Sequence, residues 1–455
     1  MISRALYSLA MLLAQPLLRR KLARRALAEP GYALAVEERF GRYTVPPGDG
    51  YVWVHAVSLG ETRAAAILVA RLRERLPGMR LLLTHGTATG RAEGERLLQT
   101  GDVQVWQPWD TPGAVQRFLA HFRPRMGVLM ETEVWPNLVA HSRAAGVPLV
   151  LANARLNERS LAKALRVVWL ARPTYRALTA VWAQTAADAA RLAQLGAPVQ
   201  GVFGNLKFDA TPDAVQLAQG RQWRRRLDRP VALLASSREG EEDQFLQILK
   251  QNRPPVRMGG SFNATNNVAQ SVHWLVVPRH PQRFDAVAAL IESHGFAVSR
   301  RSAWGDGPPT DDTDDATGHT VWLGDSLGEM ALYYGLADVA LLGGSFEPFG
   351  GQNLIEAAAC GCPVVMGPST FNFAEAAELA EVAGAAVRAD GVPQAIDQAQ
   401  RLATDADRRV AASAASEQFA LAHRGAADKT ATAVLLLLAP VDSQLHATLT
   451  SPAAR

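Results

Sequence analysis

Acidic residues that directly follow apolar runs are the groups in this chain best placed to do chemistry. In HAVSLGETR, Glu61 comes just after Ser58 and Gly60, where the run YVWVHAV gives way to an amphipathic stretch. A carboxylate at that point can satisfy the free N–H groups of a helix start. With Ser58 and Gly60 letting the loop approach a ligand closely, it can equally act as a base. ETEVWPNL repeats the arrangement after MGVLM, and its two acids would point to opposite sides of a continuing strand. Glu131 and Glu133 therefore take different jobs, one of them open to helix capping, with Trp135 read as ordinary packing. GNLKFD ends a further unit with Lys207. An exposed lysine there needs no explanation; a partly buried one needs an anion such as a phosphate or a sugar carboxylate.

The second half offers polar turns of a different kind. SSREGEE puts Ser236 and Ser237 at a helix start, where hydroxyls can contact an anion. VPRHPQRF supplies Arg279 and His280 beside prolines that fix the loop, and arginine presents a rigid fork to phosphate or carboxylate. GDSLGEM can bring backbone N–H groups to a ligand at Gly328. GGQNLIE sets Asn353 and Glu356 three apart on one face of a helix start. That spacing suits ribose and phosphate contacts, and it is also the spacing of an ordinary capping box.

Several chemistries find no support. THGTATGR has hydroxyls and glycines but no lysine, so it is not a P-loop, and the first strand turn lacks GxGxxG. There is no HExxH, no CxxC and no tight histidine cluster, so no metal or bound cofactor is expected. Cys360 and Cys362, one residue apart, are too close for an ordinary disulfide and are expected to pack around the Gly361 turn of a cytosolic protein. The net charge of +4 over 455 residues is small and local. Arg19, Arg20, Lys21, Arg24 and Arg25 follow an apolar run from Ala5 to Leu18, which is shorter than the roughly 20 residues that span a bilayer. It reads either as an interfacial anchor whose basic residues reach anionic headgroups or as a packed N-terminal helix.

These motifs need a frame that lines them up. YVWVHAV, MRLLLTH, VQVWQP, MGVLM, PLVLANARL and PVQGVFG read as strands, each followed by a helical pattern, and VALLASS, HWLVVP, TVWLG, VALLGG and PVVMG restart the rhythm. Strand–helix alternation with short connections predicts an α/β protein of two doubly wound parallel sheets facing a cleft. Every unusual polar motif then falls at a strand's C-terminal end, where such folds bind ligands. The expected division is an N-terminal segment at 1–30, a first domain at 31–210, a linker at 211–230, a second domain at 231–442 and a flexible tail at 443–455. NRPPVRMGGSFNATNNVAQ (252–270) and WGDGPPTDDTDDATG (304–318) read as inserted surface loops.

Together HAVSLGE, METEVWPN, LANARL, GNLKFD, VPRHPQRF, GDSLGEM and GGQNLIEAAACGCPVVMGPSTFNF resemble, in this order, the 3-deoxy-D-manno-octulosonic acid (Kdo) transferases of lipopolysaccharide synthesis. The resemblance runs from about residue 30 to 425. It implies a GT-B architecture of two Rossmann-like domains, the first acceptor-side and the second binding the CMP-sugar, with a membrane-associated N-terminal segment. It also implies transfer of Kdo from CMP-Kdo to a lipid A precursor, without metal or cofactor, at the cytoplasmic face of the inner membrane. Nucleic acid is not an expected partner; the anionic membrane surface is. By resemblance, Glu61 matches the general base, Glu131 a carboxylate assisting the transition state, and Lys207 a lysine near the reacting sugar. Pro278, Arg279, Gly328, Glu329, Met330, Asn353, Leu354, Ile355 and Glu356 match nucleotide-binding positions, and Ser236 joins them as the anion contact read from SSREGEE. A GT-B enzyme using a UDP-sugar, an epimerase of the UDP-N-acetylglucosamine type and a non-catalytic membrane scaffold are the competing readings.

Overall fold

The computed structural model describes residues 2–252, 272–310 and 320–439. The expected loops beyond Asn252 and beyond Thr310, and the tail at 443–455, lie outside the described residues. The chain forms two compact units. The first runs to Asp209 and resumes at Arg424; the second is Ala210–His423.

In the first unit seven strands make one parallel sheet: β1 (Val52–His55), β2 (Leu81–His85), β3 (Val103–Trp106), β4 (Met126–Met130), β5 (Leu149–Ala154), β6 (Ala180–Ala183) and β7 (Val199–Val202). Their order is β3-β2-β1-β4-β5-β6-β7. Central β1 aligns Val52 with Leu81 on one side and with Met126 on the other. Helices cover both faces, which is why the strands read as unbroken apolar runs rather than as alternating ones. Trp53, Leu82, Leu129, Leu151 and Val181 build the core on one face. Val54, Leu83, Val128 and Val150 build it on the other. The strand order reverses between β1 and β4, so the loops leaving those two strands diverge and open a crevice at their C-terminal ends.

The second unit repeats the plan with β8 (Val231–Ser237), β9 (His273–Pro278), β10 (Ala297–Arg300), β11 (Thr320–Leu323), β12 (Val339–Leu342), β13 (Val364–Met366) and β14 (Ala386–Arg388). The order β10-β11-β9-β8-β12-β13-β14 puts the reversal between β8 and β12. Each unit is doubly wound, as expected of a GT-B protein. Cys360 and Cys362 are buried free thiols flanking Gly361, whose φ is 72°.

Two segments depart from the expected division. The basic stretch 211–230 carries the Ala214–Arg224 helix, which packs within the second unit on the Met330–Leu336 helix. Glycines allow this close crossing: a Cβ on Gly220 would sit 2.1 Å from the Leu332 carbonyl, and one on Gly335 would sit 2.7 Å from that of Leu217. Its charges are paired too, Arg221 with Glu417 and Arg224 with Asp338. The Ala426–Leu438 helix, expected in the second domain, returns to the first unit. There Ala427, Ala431 and Val434 join the core, and the Asp209 carboxylate accepts the N–H groups of Gly425 and Ala427.

Candidate active site

Glu61 lies in the first turn of the Leu59–Arg75 helix, straight after β1. Ser58 is the N-cap, its hydroxyl oxygen 3.4 Å from the Glu61 N–H. The carboxylate folds back to accept the Val57 N–H (2.9 Å) and the Ser58 hydroxyl (3.1 Å). Locally this is a reciprocal cap. Its ionisation is not that of an ordinary cap. Burial pushes the Glu61 carboxyl up to about 7; the Val57 N–H opposes the rise, while the negative charges of Glu131 and Glu133 add to it. A carboxyl poised near neutrality can release and take up a proton at working pH.

Glu131 follows β4 on the other side of the β1/β4 reversal. Its φ of 57° is left-handed, and Asn153 at the end of β5 (φ 50°) shares that conformation. Each such residue costs on the order of 1–3 kcal/mol and persists only where its surroundings fix it. Here the Glu131 N–H donates to the Ala152 carbonyl and the Arg155 N–H donates to that of Glu131, continuing the β4–β5 pairing through the bend. The bend places the largely buried Glu131 carboxylate 4.0 Å from Lys207 Nζ and 3.9 Å from Arg155 Nη1. At these distances the groups attract as charges without a formed hydrogen bond.

Lys207 is also held through its backbone. Asn153 Oδ1 accepts the Leu206 N–H, Asn205 Oδ1 accepts the Lys207 N–H, and Gln184 links Asn205 to the Asn153 carbonyl. Three motif residues therefore meet at one end of one sheet, on the C-terminal ends of β1, β4 and β7. Sequence reasoning missed Asn153, Gln184, Asn205 and Arg155. LANARL offered only an Asn after an apolar run, a signal visible once a left-handed strand end is suspected.

Beneath the Glu61 loop, His55 and His85 are fully buried. His85 Nδ1 lies 2.9 Å from the Ala56 carbonyl, and His55 Nδ1 contacts both oxygens of Thr84. Burial drives His55 down to about 3 and His85 down to about 4, so both stay neutral and act as fixed spacers.

In the second unit the expected nucleotide residues gather at the strand ends around the β8/β12 reversal. Ser236 is left-handed (φ 56°), and Gly343 approaches so closely that a Cβ there would lie 2.4 Å from the Ser236 carbonyl. Pro278 ends β9, and the Arg279 N–H donates to the Ser237 carbonyl. Gly328 (φ 78°) turns the chain into the Met330–Leu336 helix. Glu329 there binds the Ser326 hydroxyl and Arg301.

Ser237, expected among the anion contacts, is instead fully buried and donates to Glu242, which Arg283 grips with both terminal nitrogens (2.6 and 3.0 Å). Glu241 accepts the N–H groups of Arg238, Gly344 and Phe346, stapling together the loops after β8 and β12. Asn353 precedes the short Leu354–Ala359 helix without a side-chain capping bond, and its Oδ1 finds no partner among the described residues. Leu354 and Ile355 have core side chains, leaving only their backbone to face a ligand. Among the described residues no group of three or more His, Cys, Asp or Glu is placed to hold a metal ion.

Comparison with known proteins places this geometry. The family model described as 3-deoxy-D-manno-octulosonic-acid transferase (kdotransferase) matches residues 35–210. The 3-deoxy-D-manno-octulosonic acid transferase of Bordetella pertussis is 46% identical, over 95% of this chain and 98% of its own. That of Haemophilus influenzae is 32% identical over 82% and 84%. Among solved structures, the UDP-GlcNAc 2-epimerase from Neisseria meningitidis bound to UDP-GlcNAc gives a TM-score of 0.53 at 14% identity, over 85% of this chain and 99% of that one. That is a likeness of fold alone. With two doubly wound units and these relatives, the chain belongs to the 3-deoxy-D-manno-octulosonic acid (Kdo) transferases, a glycosyltransferase family of GT-B architecture.

Proposed function

We propose that this chain transfers Kdo from CMP-Kdo to a hydroxyl of a lipid A precursor, inverting the anomeric carbon, with Glu61 as general base. The observation that carries the proposal is a carboxyl of pKa about 7 at the β1/β4 reversal, beside a second carboxylate. Ionised Glu61 takes the acceptor hydroxyl proton as that oxygen bonds to the anomeric carbon. The bond from that carbon to the CMP phosphate oxygen breaks, and CMP leaves with the electron pair. Lys207, 4.0 Å from Glu131, offsets the negative charge of the sugar carboxylate and of the developing transition state. Arg279, the left-handed Ser236 turn, Gly328–Met330 and Asn353–Glu356 are the candidates for binding CMP.

The same reading places the protein at the cytoplasmic face of the inner membrane through its N-terminal helices, Ile2–Leu13 and Gln15–Ala28. Neither is long and apolar enough to cross a bilayer. Leu6, Leu9, Leu13 and Leu17 are instead exposed at helical spacing, which suits an interfacial anchor.

The test is incubation of the detergent-solubilised protein with CMP-Kdo and tetraacylated lipid A precursor in the presence of chelator, with products read by mass spectrometry. The expected result is a mass gain of one or more Kdo units that falls at least about a hundredfold in rate with Glu61→Gln. Unchanged transfer by Glu61→Gln would remove Glu61 as the base. Absence of both transfer and CMP-Kdo binding in the unaltered protein would overturn the reading altogether.

A further inference from the structure

We propose that the exposed indole of Trp135 is a stacking platform for a pyranose ring of the acceptor, held in orientation by Glu133, whose second carboxylate oxygen receives that sugar's hydroxyl or amide protons. The inference rests on the transferase reading above and names part of the acceptor subsite.

Trp135 was expected to pack, yet it is 39% exposed. An indole left in water forgoes the burial that stabilises most tryptophans. This one is also held still. Its Nε1–H donates to Glu133 Oε2 at 2.8 Å. Its backbone is the N-cap of the Pro136–Ala144 helix, with Pro136 fixing the next φ. Asp110 clamps that helix start by accepting the N–H groups of Asn137 (2.9 Å) and Leu138 (2.7 Å), and Asn137 Nδ2 binds the Asp110 carbonyl. The part of the indole left uncovered is thus an apolar face held in a fixed orientation.

Glu133 supplies the second half of the argument. It is half-buried, and among the described residues it has no cation, while its Oε1 has no hydrogen-bond donor. An unengaged carboxylate oxygen beside an immobile apolar ring complements the two surfaces of a pyranose, its C–H face and its hydroxyl edge. The charge of Glu133 is felt at Glu61, the group assigned to the acceptor hydroxyl. Glu133 and Trp135 lie on the segment leaving β4, next to the loop after β1 that carries Glu61, so the platform serves the acceptor.

The experiment measures KM for detergent-dispersed lipid acceptor, KM for CMP-Kdo and kcat in Trp135→Ala, Trp135→Leu and Trp135→Phe, with thermal unfolding as the folding control. Vesicle co-sedimentation without acceptor is run in parallel. The acceptor KM is expected to rise about tenfold in the Ala and Leu variants, and to recover largely in Phe, which keeps a ring face. The CMP-Kdo KM stays within about twofold. Should the Ala variant not fold, Leu against Phe carries the same comparison. An unchanged acceptor KM, or a rise in both KM values together, overturns the proposal. So does a loss of vesicle binding that matches the loss of acceptor affinity, since the indole would then be a membrane contact. Transfer by the unaltered protein separates failure of this inference from failure of the transferase reading.

Discussion

Glu61 stands between two demands. Its hydrogen bonds from Val57 and Ser58 favour the ionised form, whereas burial and the charges of Glu131 and Glu133 oppose it more strongly. As the proposed base it must be ionised, so transfer is expected to rise with pH through a midpoint near 7, and the acid limb of kcat/KM against pH measures this. The same shift makes Glu61 a stability cost at high pH. Its folded pKa exceeds the ordinary 4.5, so the folded state holds the proton longer, and stability declines as pH rises from about 4.5 through 7. Glu61→Gln is therefore expected to exceed the parent's stability at pH 8 by on the order of 1–3 kcal/mol, with the difference shrinking as pH falls from 7 and gone below about 4.5. Urea midpoints at the two pH values give the sign. His55 and His85 act oppositely. Their folded pKa values are depressed from 6.5 to about 3 and about 4, so the unfolded chain takes up protons first and stability falls as pH drops below 6.5. The two windows overlap between about 4.5 and 6.5, where two histidines outweigh one carboxyl, so these groups together place maximum stability near pH 6.5, and an unfolding series from pH 4 to 8 checks it.

At the scale of elements, what was legible is what strand patterning can carry. Runs such as VWVH and MGVLM are apolar on both faces, so they announced buried parallel strands, and the acids after them had to fall at strand ends. Glu61, Glu131 and Lys207 were found that way. What stayed hidden depends on conformation or on distant partners. Nothing local marks the left-handed turns at Glu131 and Asn153. Asn353 and Glu356 have capping-box spacing, but the capping bond is not made. Trp135 read as packing because composition cannot say which face of a helix start is left uncovered. The linker reading at 211–230 followed polarity, while the helix there is specified by Gly220 and Gly335, which lie far apart in sequence and meet only in the fold. This makes Gly220→Ala a sharp test. The added methyl would lie 2.1 Å from the Leu332 carbonyl, which is backbone and cannot swing away. The Ala214–Arg224 helix must then shift, at an expected loss of about 1–3 kcal/mol despite the better helix propensity of alanine, readable as a lowered urea midpoint. A gain in stability would show that the crossing is loose.

For the whole molecule, a modest net charge of +4 hides a local cluster of basic residues at the N-terminus, the segment proposed to meet the membrane surface. Of the five basic residues counted there, two are taken by the protein itself. Arg19 binds Glu37 and lies over the Phe40 ring, and Arg25 lies over Tyr32. Arg20, Lys21 and Arg24 are exposed and have no acidic partner among the described residues. The first helix is fastened to the body by the hydrogen bond from Ser8 to Asn137, on the helix whose start carries Trp135. It nevertheless keeps Leu6, Leu9 and Leu13 outward, 54–72% exposed. Apolar insertion and headgroup attraction should thus be separable, because only the second is screened by salt. Leu9→Glu with Leu13→Glu is expected to weaken binding to anionic vesicles at least about tenfold at any salt concentration, while leaving thermal stability unchanged, since neither side chain is buried. Replacing Arg20, Lys21 and Arg24 with glutamine should remove roughly 1 kcal/mol per residue at low salt and flatten the salt dependence. Co-sedimentation across a salt series distinguishes the two contributions. Leucine variants that bind like the parent would mean that this face meets protein rather than membrane.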